Sequence, residues 1–392
     1  EEVGSYAYYG CTAITSAVLG HKLASVGEYI FGRCTSLETV TFRTDEDIIC
    51  DWMFYGCSSL KTIVDFPESA KTIGKHAFEG CAEITSITIP NTITKIDNYA
   101  FADCVGLTSI SLPKALEVIG EYAFYGAGFK EIAIPYGVTT IGNGAFTACA
   151  SLTAINVSDI NTEYRSIDGI LYSEDGTTLI FCPAAKSGYV VIPETVDEIG
   201  EGAFVGCTAL GVIEIPASVA TINAIAFNGC ADTLVIKTPC NSAAAAYAKA
   251  RAIKTDLIHS ENTEWVITTE AGCESAGEKE LRCADCGHVL QVEGIDAIGH
   301  IYDDGVVTKK ATCDDDGVVT FTCQNTGCTS TYTVTIPALG HKYTSEVTKE
   351  PTCDEDGVRR YTCQNEGCYS VYTEVIPATD HALDDGTVTL AA

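Results

Sequence analysis

Apolar positions along the chain follow two periods. Up to about residue 258 an aromatic residue returns as Tyr8, Phe31, Phe54, Phe78, Phe101, Phe124 and Phe146, then as Phe204 and Phe227; the steps are 22 to 24 residues, except one of 58. Between these anchors small polar and apolar residues alternate, as in Ile84-x-x-Ile87-x-Ile89-Pro90 and Leu107-x-x-Ile110-x-Leu112-Pro113. Such alternation predicts a short half-buried strand. The proline ends it, because proline has no N–H to give the ladder. Ile-Gly follows, as in Ile119-Gly120 and Ile141-Gly142, and then the Ala-Phe that fills an interior. A period in the twenties predicts a solenoid, in which each unit's apolar face is covered only by its neighbours. Its strands stack into a parallel sheet with a spacing of about 4.8 Å.

The long step predicts an insertion over 158–188, read as a hairpin with strands at Ile170-Leu171-Tyr172 and Leu179-Ile180-Phe181 around Glu174-Asp175-Gly176. Near the end of the region, "NSAAAAYAKARAIK" predicts a capping helix over 242–253, started by Asn241 or Ser242. The residues of each strand that point away from the interior form the expected concave binding surface: Thr39, Thr41, Thr62, Ser86, Thr88, Ser109, Ser111, Glu131, Asn156 and Glu214. They are small and mostly neutral.

Eight cysteines occupy one slot of the repeat, namely Cys11, Cys34, Cys57, Cys81, Cys104, Cys149, Cys207 and Cys230, and Ala127 takes that slot in the sixth unit. An alanine in the series favours a small hydrophobe at a tight corner over metal or redox chemistry. Cys50, Cys182 and Cys240 belong to no series. The motifs I-G-x-x-A-F-x-G-C, L-x-x-I-x-I-P and S-I-D-G-I-L-Y resemble the BspA-like leucine-rich repeat family of bacterial surface antigens over residues 1–258. The resemblance implies an α/β-type repeat: a leucine-rich repeat solenoid with a parallel β-sheet. It also implies a secreted or cell-surface protein that adheres to host proteins or other cells.

From His259 the period lengthens to about 40, which predicts small all-β Cys/His modules over 259–299, 300–340 and 341–392. The region resembles tandem Cys/His repeats of bacterial surface proteins. Each unit carries three cysteines and a histidine, the inventory of a Cys₃His zinc site. An odd cysteine count cannot close entirely into disulfides within one unit. In "ATCDDDGVVTFTC" a turn at Asp315-Asp316-Gly317 puts Cys313 opposite Val319 and Cys323 opposite Lys309, so those two cysteines fall at opposite ends of a hairpin. Two sites shared between units follow: Cys273, His300, Cys323 and Cys328, and Cys313, His341, Cys363 and Cys368. His259, Cys283 and Cys286 remain at one end, with His288 as a candidate fourth ligand, and Cys353 with His381 remain at the other. Structural zinc, local disulfides such as Cys323 with Cys328, and buried free thiols are all open readings. The runs Asp314-Asp315-Asp316 and Asp354-Glu355-Asp356 lack the alternating ligands of an EF-hand and read as solvated hairpin tips.

The balance of 23 basic against 53 acidic residues, net −30, would repel a phosphate backbone and argues against nucleic acid. No apolar run approaches the roughly 20 residues of a membrane helix, and the acidity suits an extracellular protein. No metalloprotease, nucleophile-elbow or P-loop motif is present. Lone His21 and His76 read as surface or packing residues. The expected function is non-catalytic binding of another protein on a host or neighbouring cell. The alternatives are a passive spacer and a carbohydrate-binding module with Tyr164 and Tyr172 exposed on the insertion.

Overall fold

A computed structural model describes residues 2–23, 25–44 and 49–381. The chain divides into two compact units, one of residues 1–262 with 283–287 and one of residues 263–282 with 288–392.

The first unit is a parallel β-solenoid of about eleven coils. One coil shows the plan. Ser86–Thr88 forms the strand of the broad face, a turn closes where Ile93 N donates to Pro90 O (3.2 Å), and Lys95–Ile96 forms a two-residue strand. The third side is a run of tight turns in which Ala100, Ala102 and Cys104 donate to Asp97, Tyr99 and Phe101. Those turns also bond to the next coil, Phe78 N to Ala100 O and Gly80 N to Ala102 O, both at 2.8 Å. Every side of the coil is thus hydrogen-bonded to its neighbour, so stacking satisfies backbone that one coil alone leaves unpaired. On the broad face the parallel register sets Ser86 beside Ser109 and Thr88 beside Ser111.

The Ala-Phe residues fill the interior. Phe54, Phe78, Phe101, Phe124 and Phe204 are fully buried, and successive rings stack at 5.2 Å from Phe54 to Phe78 and again from Phe78 to Phe101. Several ladder thiols are more than hydrophobes. Cys57, Cys104 and Cys149 donate to the carbonyls of Phe31, Phe78 and Phe124 in the preceding coil, at 3.0, 3.1 and 3.0 Å. Burial pushes the thiols of Cys57 and Cys149 up to about 12, so they stay protonated donors.

The long step holds the expected hairpin and adds one strand to it. Tyr164–Ile167, Ile170–Ser173 and Thr178–Phe181 form an antiparallel meander, and its last strand joins the solenoid, pairing in parallel with Glu198–Ile199. Cys182, placed in no series by sequence, occupies the slot that phenylalanine fills elsewhere: its carbonyl receives the Cys207 thiol (3.6 Å), and its N–H bonds to Ala203 O (2.7 Å). The step therefore contains a shortened coil. Its broad-face strand is Gly188–Val191, so the insertion ends before that strand. Buried Asn161 ties the meander down, donating to Pro135 O and Val138 O and accepting from the N–H groups of Glu163 and Tyr164.

Helix is confined, among the described residues, to Ala243–Arg251. Ser242 caps it by accepting from Ala245 N at 3.0 Å, and Ala244, Ala245 and Ala248 face the core. The solenoid continues past this helix: Lys254–Ile258 adds a parallel strand beside Val235–Pro239.

The second unit contains three-stranded antiparallel sheets. Two of them run Val306–Lys309, Gly317–Thr322, Thr331–Ile336 and Tyr343–Lys349, Gly357–Cys363, Val371–Ile376. The expected hairpin register is corrected here: Val319 pairs with Val307, Lys309 with Val318, and Cys323 bridges to Tyr302. The reason is the connection. Thr312 caps a turn through Asp315 N (3.0 Å), and Gly317 begins the strand rather than ending the turn. A Cβ at Gly317 would lie 2.5 Å from Ala311 N. Cys313 therefore sits in a loop, not in the ladder.

Candidate metal centres and the strand face

In the second unit the buried apolar residues among those described are Cys313, Cys323 and Cys363. Valines and tyrosines of the same sheets, Val306, Val334, Tyr372 and Val375 among them, are exposed. The cysteines are the core.

Cys273, His300, Cys323 and Cys328 come together, as do Cys313, His341, Cys363 and Cys368, each set with its ligand atoms within 4.8 Å of one another. Cys273 Sγ lies 3.8 Å from Cys323 Sγ, and Cys313 Sγ lies 3.7 Å from Cys363 Sγ. Cys328 and Cys368 each lie 3.5 Å from the histidine Nδ1 of their set. Four ligands placed tetrahedrally about zinc, with Zn–S bonds of about 2.3 Å, put two sulfurs about 3.8 Å apart. A disulfide needs about 2.05 Å. The donor set and its spacing fit a zinc ion.

Surrounding groups orient these side chains. Nε2 of His300 meets Glu274 at 3.1 Å and Nε2 of His341 meets Asp314 at 3.0 Å, which leaves Nδ1 facing the sulfurs. Asn325 and Asn365 donate to Cys273 and Cys313 at 3.2 Å, and also to the carbonyls of Gly299 and Gly340. Burial works to raise Cys323 and Cys363, yet both are held down to about 6 by backbone N–H groups at Asn325 and Asn365 and by the imidazoles of His300 and His341. His341 is lifted to about 9, chiefly by Cys363. The acidic runs are thus not merely solvated tips: Asp314 braces a histidine, and Asp316 and Asp356 accept from Ala338 N and Ala378 N at 2.8 Å.

The leftover ligands also find places. Among the described residues a third group gathers Cys240, His259, Cys283 and Cys286; His288 is not in it. At the other end His381 Nε2 meets Asp354 (3.1 Å), and Cys353 is exposed.

On the solenoid's broad face Thr62, Ser86, Thr88, Ser109, Ser111, Glu131 and Asn156 are exposed, and Thr39, Thr41 and Glu214 are half-buried. The register sets Thr39 beside Thr62 and Ala133 beside Asn156. Sequence reasoning missed two neighbouring exposed apolar residues on this face, Tyr189 and Val191, which are 52% and 57% exposed. Counting part of their strand as insertion hid them. Val18, at 59%, stands apart from them beside Thr41. Tyr189 lines up with Val212 and Val235; Val191 lines up with Glu214 and Lys237, which form an ion pair at 3.2 Å. On the insertion Tyr172 is fully buried, and the Tyr164 hydroxyl accepts from Ile141 N (3.0 Å), so neither offers an open ring face.

Sequence reasoning also missed a second aromatic ladder, two positions before the phenylalanines. Tyr6, Tyr29, Trp52, His76, Tyr99 and Tyr122 stack at 4.8 to 5.0 Å. All six have φ between 53° and 61°, a left-handed conformation that side chains seldom adopt. The signal was an aromatic or histidine at that position in each of the first six units. Gly144 ends the series, and the Tyr122 ring leans into the space it leaves, its Cε1 2.4 Å from where a Cβ would stand.

The profile of the BspA-type leucine-rich repeat region matches residues 1–106, 62–168 and 180–248, in six copies. This chain belongs to that family. The match leaves 169–179 uncovered, where the meander departs from the coil plan. A leucine-rich cell surface protein from Faecalibacterium prausnitzii A2-165 is 28% identical with a TM-score of 0.52, over 60% of this chain and 64% of that one. This chain thus spans under two thirds of that relative's length. Pneumococcal vaccine antigen PcpA is 22% identical, over 60% of this chain and 57% of that one, with a TM-score of 0.44. Among curated proteins no relative matches. No helix among the described residues is long and apolar enough to cross a membrane.

Proposed function

We propose that this BspA-type repeat protein works at the bacterial cell surface or outside it, as a non-catalytic module that binds another protein on a host or neighbouring cell. The observation that carries the reading is the patch on the strand face. Tyr189 and Val191 stand exposed beside Val212 and Val235, rimmed by Glu214 and Lys237. An exposed tyrosine among valines with a charged rim has the composition of a protein-binding hot spot. The small polar residues from Thr39 to Asn156 extend the contact surface. The cell-surface protein from F. prausnitzii supports the location.

The Cys/His array holds structural zinc in this reading, at Cys273/His300/Cys323/Cys328 and Cys313/His341/Cys363/Cys368. The support is the lack of any other buried apolar side chain in those sheets and the 3.7–3.8 Å sulfur spacing. Small scaffolds without an apolar core need a staple. The ions fix the modules; they do not react.

The surface is tested with the labelled full chain applied to cultured epithelial cells and to bacterial cells, against the double variant Tyr189→Ala, Val191→Asp. Binding should fall at least tenfold with circular dichroism unchanged. Equal retention of both proteins would reject the patch, and retention of neither would favour the passive spacer. Loss of binding after periodate treatment of the cells, but not after protease treatment, would point to carbohydrate.

A further inference from the structure

We infer that Cys240, His259, Cys283 and Cys286 form a third zinc site, in which the last coil of the solenoid supplies the cysteine that a module supplies elsewhere. The inference rests on the zinc reading of the other two sets and adds a site to it. All four residues lie in one compact unit.

The fold places two ligands side by side for a plain reason. Val235–Pro239 and Lys254–Ile258 pair in parallel with Pro239 beside Ile258, so the next residues of each strand, Cys240 and His259, emerge together. Cys240 N donates to Ile258 O at 3.0 Å and fixes that exit. The other two ligands sit on a tight turn: Gly287 N bonds to Cys283 O at 2.8 Å, with Gly287 in the left-handed region at φ 73°. Ala284 N donates to Asn262 O at 2.9 Å, which holds the turn against the chain just past His259.

The distances repeat those of the other sets. Cys240 Sγ to Cys283 Sγ is 3.8 Å, against 3.8 and 3.7 Å there. Cys286 Sγ to His259 Nδ1 is 3.3 Å, against 3.5 Å in both. Cys240 therefore stands where Cys273 and Cys313 stand. Cys34, Cys57, Cys81, Cys104, Cys149 and Cys230 donate to a carbonyl of the preceding coil, whereas the sulfur of Cys240 meets another sulfur. The Ser260 hydroxyl, 3.6 Å from Cys283 Sγ, supplies a polar contact within this set. Three thiolates and an imidazole at tetrahedral spacing select zinc among the common hard and borderline divalent ions.

The test counts ions. The full chain, stripped of metal under reducing conditions and titrated with Zn²⁺, is weighed by native mass spectrometry. Three ions per chain are expected for the wild type, two for Cys240→Ser and two for Cys286→Ser. Cys353→Ser, which alters an exposed cysteine outside all three sets, should keep three. With Co²⁺ in place of zinc, Cys240→Ser should remove about a third of the thiolate charge-transfer absorption, since one of three like sites is lost. That optical readout checks the count for any variant of reduced stability. A wild type that saturates at two ions, or a Cys240→Ser variant that keeps three, would overturn the third site alone. A wild type that takes up none would overturn the zinc reading as a whole.

Discussion

In the solenoid a buried cysteine is surrounded by phenylalanine and isoleucine; in the modules a buried cysteine is surrounded by other cysteines. Cys104 lies in a continuous apolar core and donates its proton to Phe78 O. Cys363 lies against Cys313 and beside His341 in a sheet with little else to bury. Burial pushes the solenoid thiols up, to about 12 at Cys57 and Cys149. In the modules Cys323 and Cys363 are held down to about 6, while Cys313, against the pull of the Asn365 amide, is pushed up to about 11 by burial and by Cys368 and Cys363. Apolar surroundings keep the proton on. Backbone N–H groups and an imidazole favour its loss and leave a thiolate. Residue type alone therefore did not decide what cysteine does here; its neighbours did.

Metal removal should separate the two regions most sharply. On the zinc reading, a chelator should abolish amide-exchange protection in the sheets between Gly317 and Ile376 and leave that of the coils before Val235 intact. The scale of the effect is the roughly 10–16 kcal/mol that structural zinc contributes to small domains. If those coils lose protection at the same chelator concentration, the contrast drawn here fails.

Within the solenoid the largest single effect should come from the interior ladder. Phe101→Ala removes a fully buried ring stacked between Phe78 and Phe124. It should cost about 3–5 kcal/mol in denaturant unfolding, with zinc content unchanged. The thiol ladder should give less. Cys104→Ala should cost about 1–2 kcal/mol through the lost donor to Phe78 O. Ala127→Cys should move the other way by up to about 1 kcal/mol, if the new thiol reaches the Phe101 carbonyl. A destabilising Ala127→Cys would show that the sixth coil is too tight for sulfur.

Much of this was legible in the sequence, for a physical reason. A residue that must fill the same hole in each coil recurs at the coil's period, so Phe78, Phe101 and Cys104 announce themselves. The shortened coil was not legible, because Cys182 fills a phenylalanine slot and breaks the pattern used to count. The left-handed aromatic ladder was visible but varied among Tyr, Trp and His, and variation reads as surface. The module ligands could be grouped because the third strand, Thr331–Ile336, returns the chain to the Cys313 end. The hairpin register could not, since Asp315-Asp316-Gly317 satisfies the rules of a tight turn while Thr312 and Gly317 build a longer one. Cys240 had no periodic partner, and only the pairing of the two strands that flank the helix gives it a role.

The stacked ring of Trp52 carries a practical consequence. The chain has two tryptophans. Trp52 lies between Tyr29 and His76 at 5.0 and 4.8 Å, and Trp265 lies under the Lys279 ammonium at 4.3 Å in the other unit. Each region thus carries its own fluorophore in a distinct electronic setting. Replacing either one with phenylalanine leaves a native optical probe that follows the loss of order in a single region.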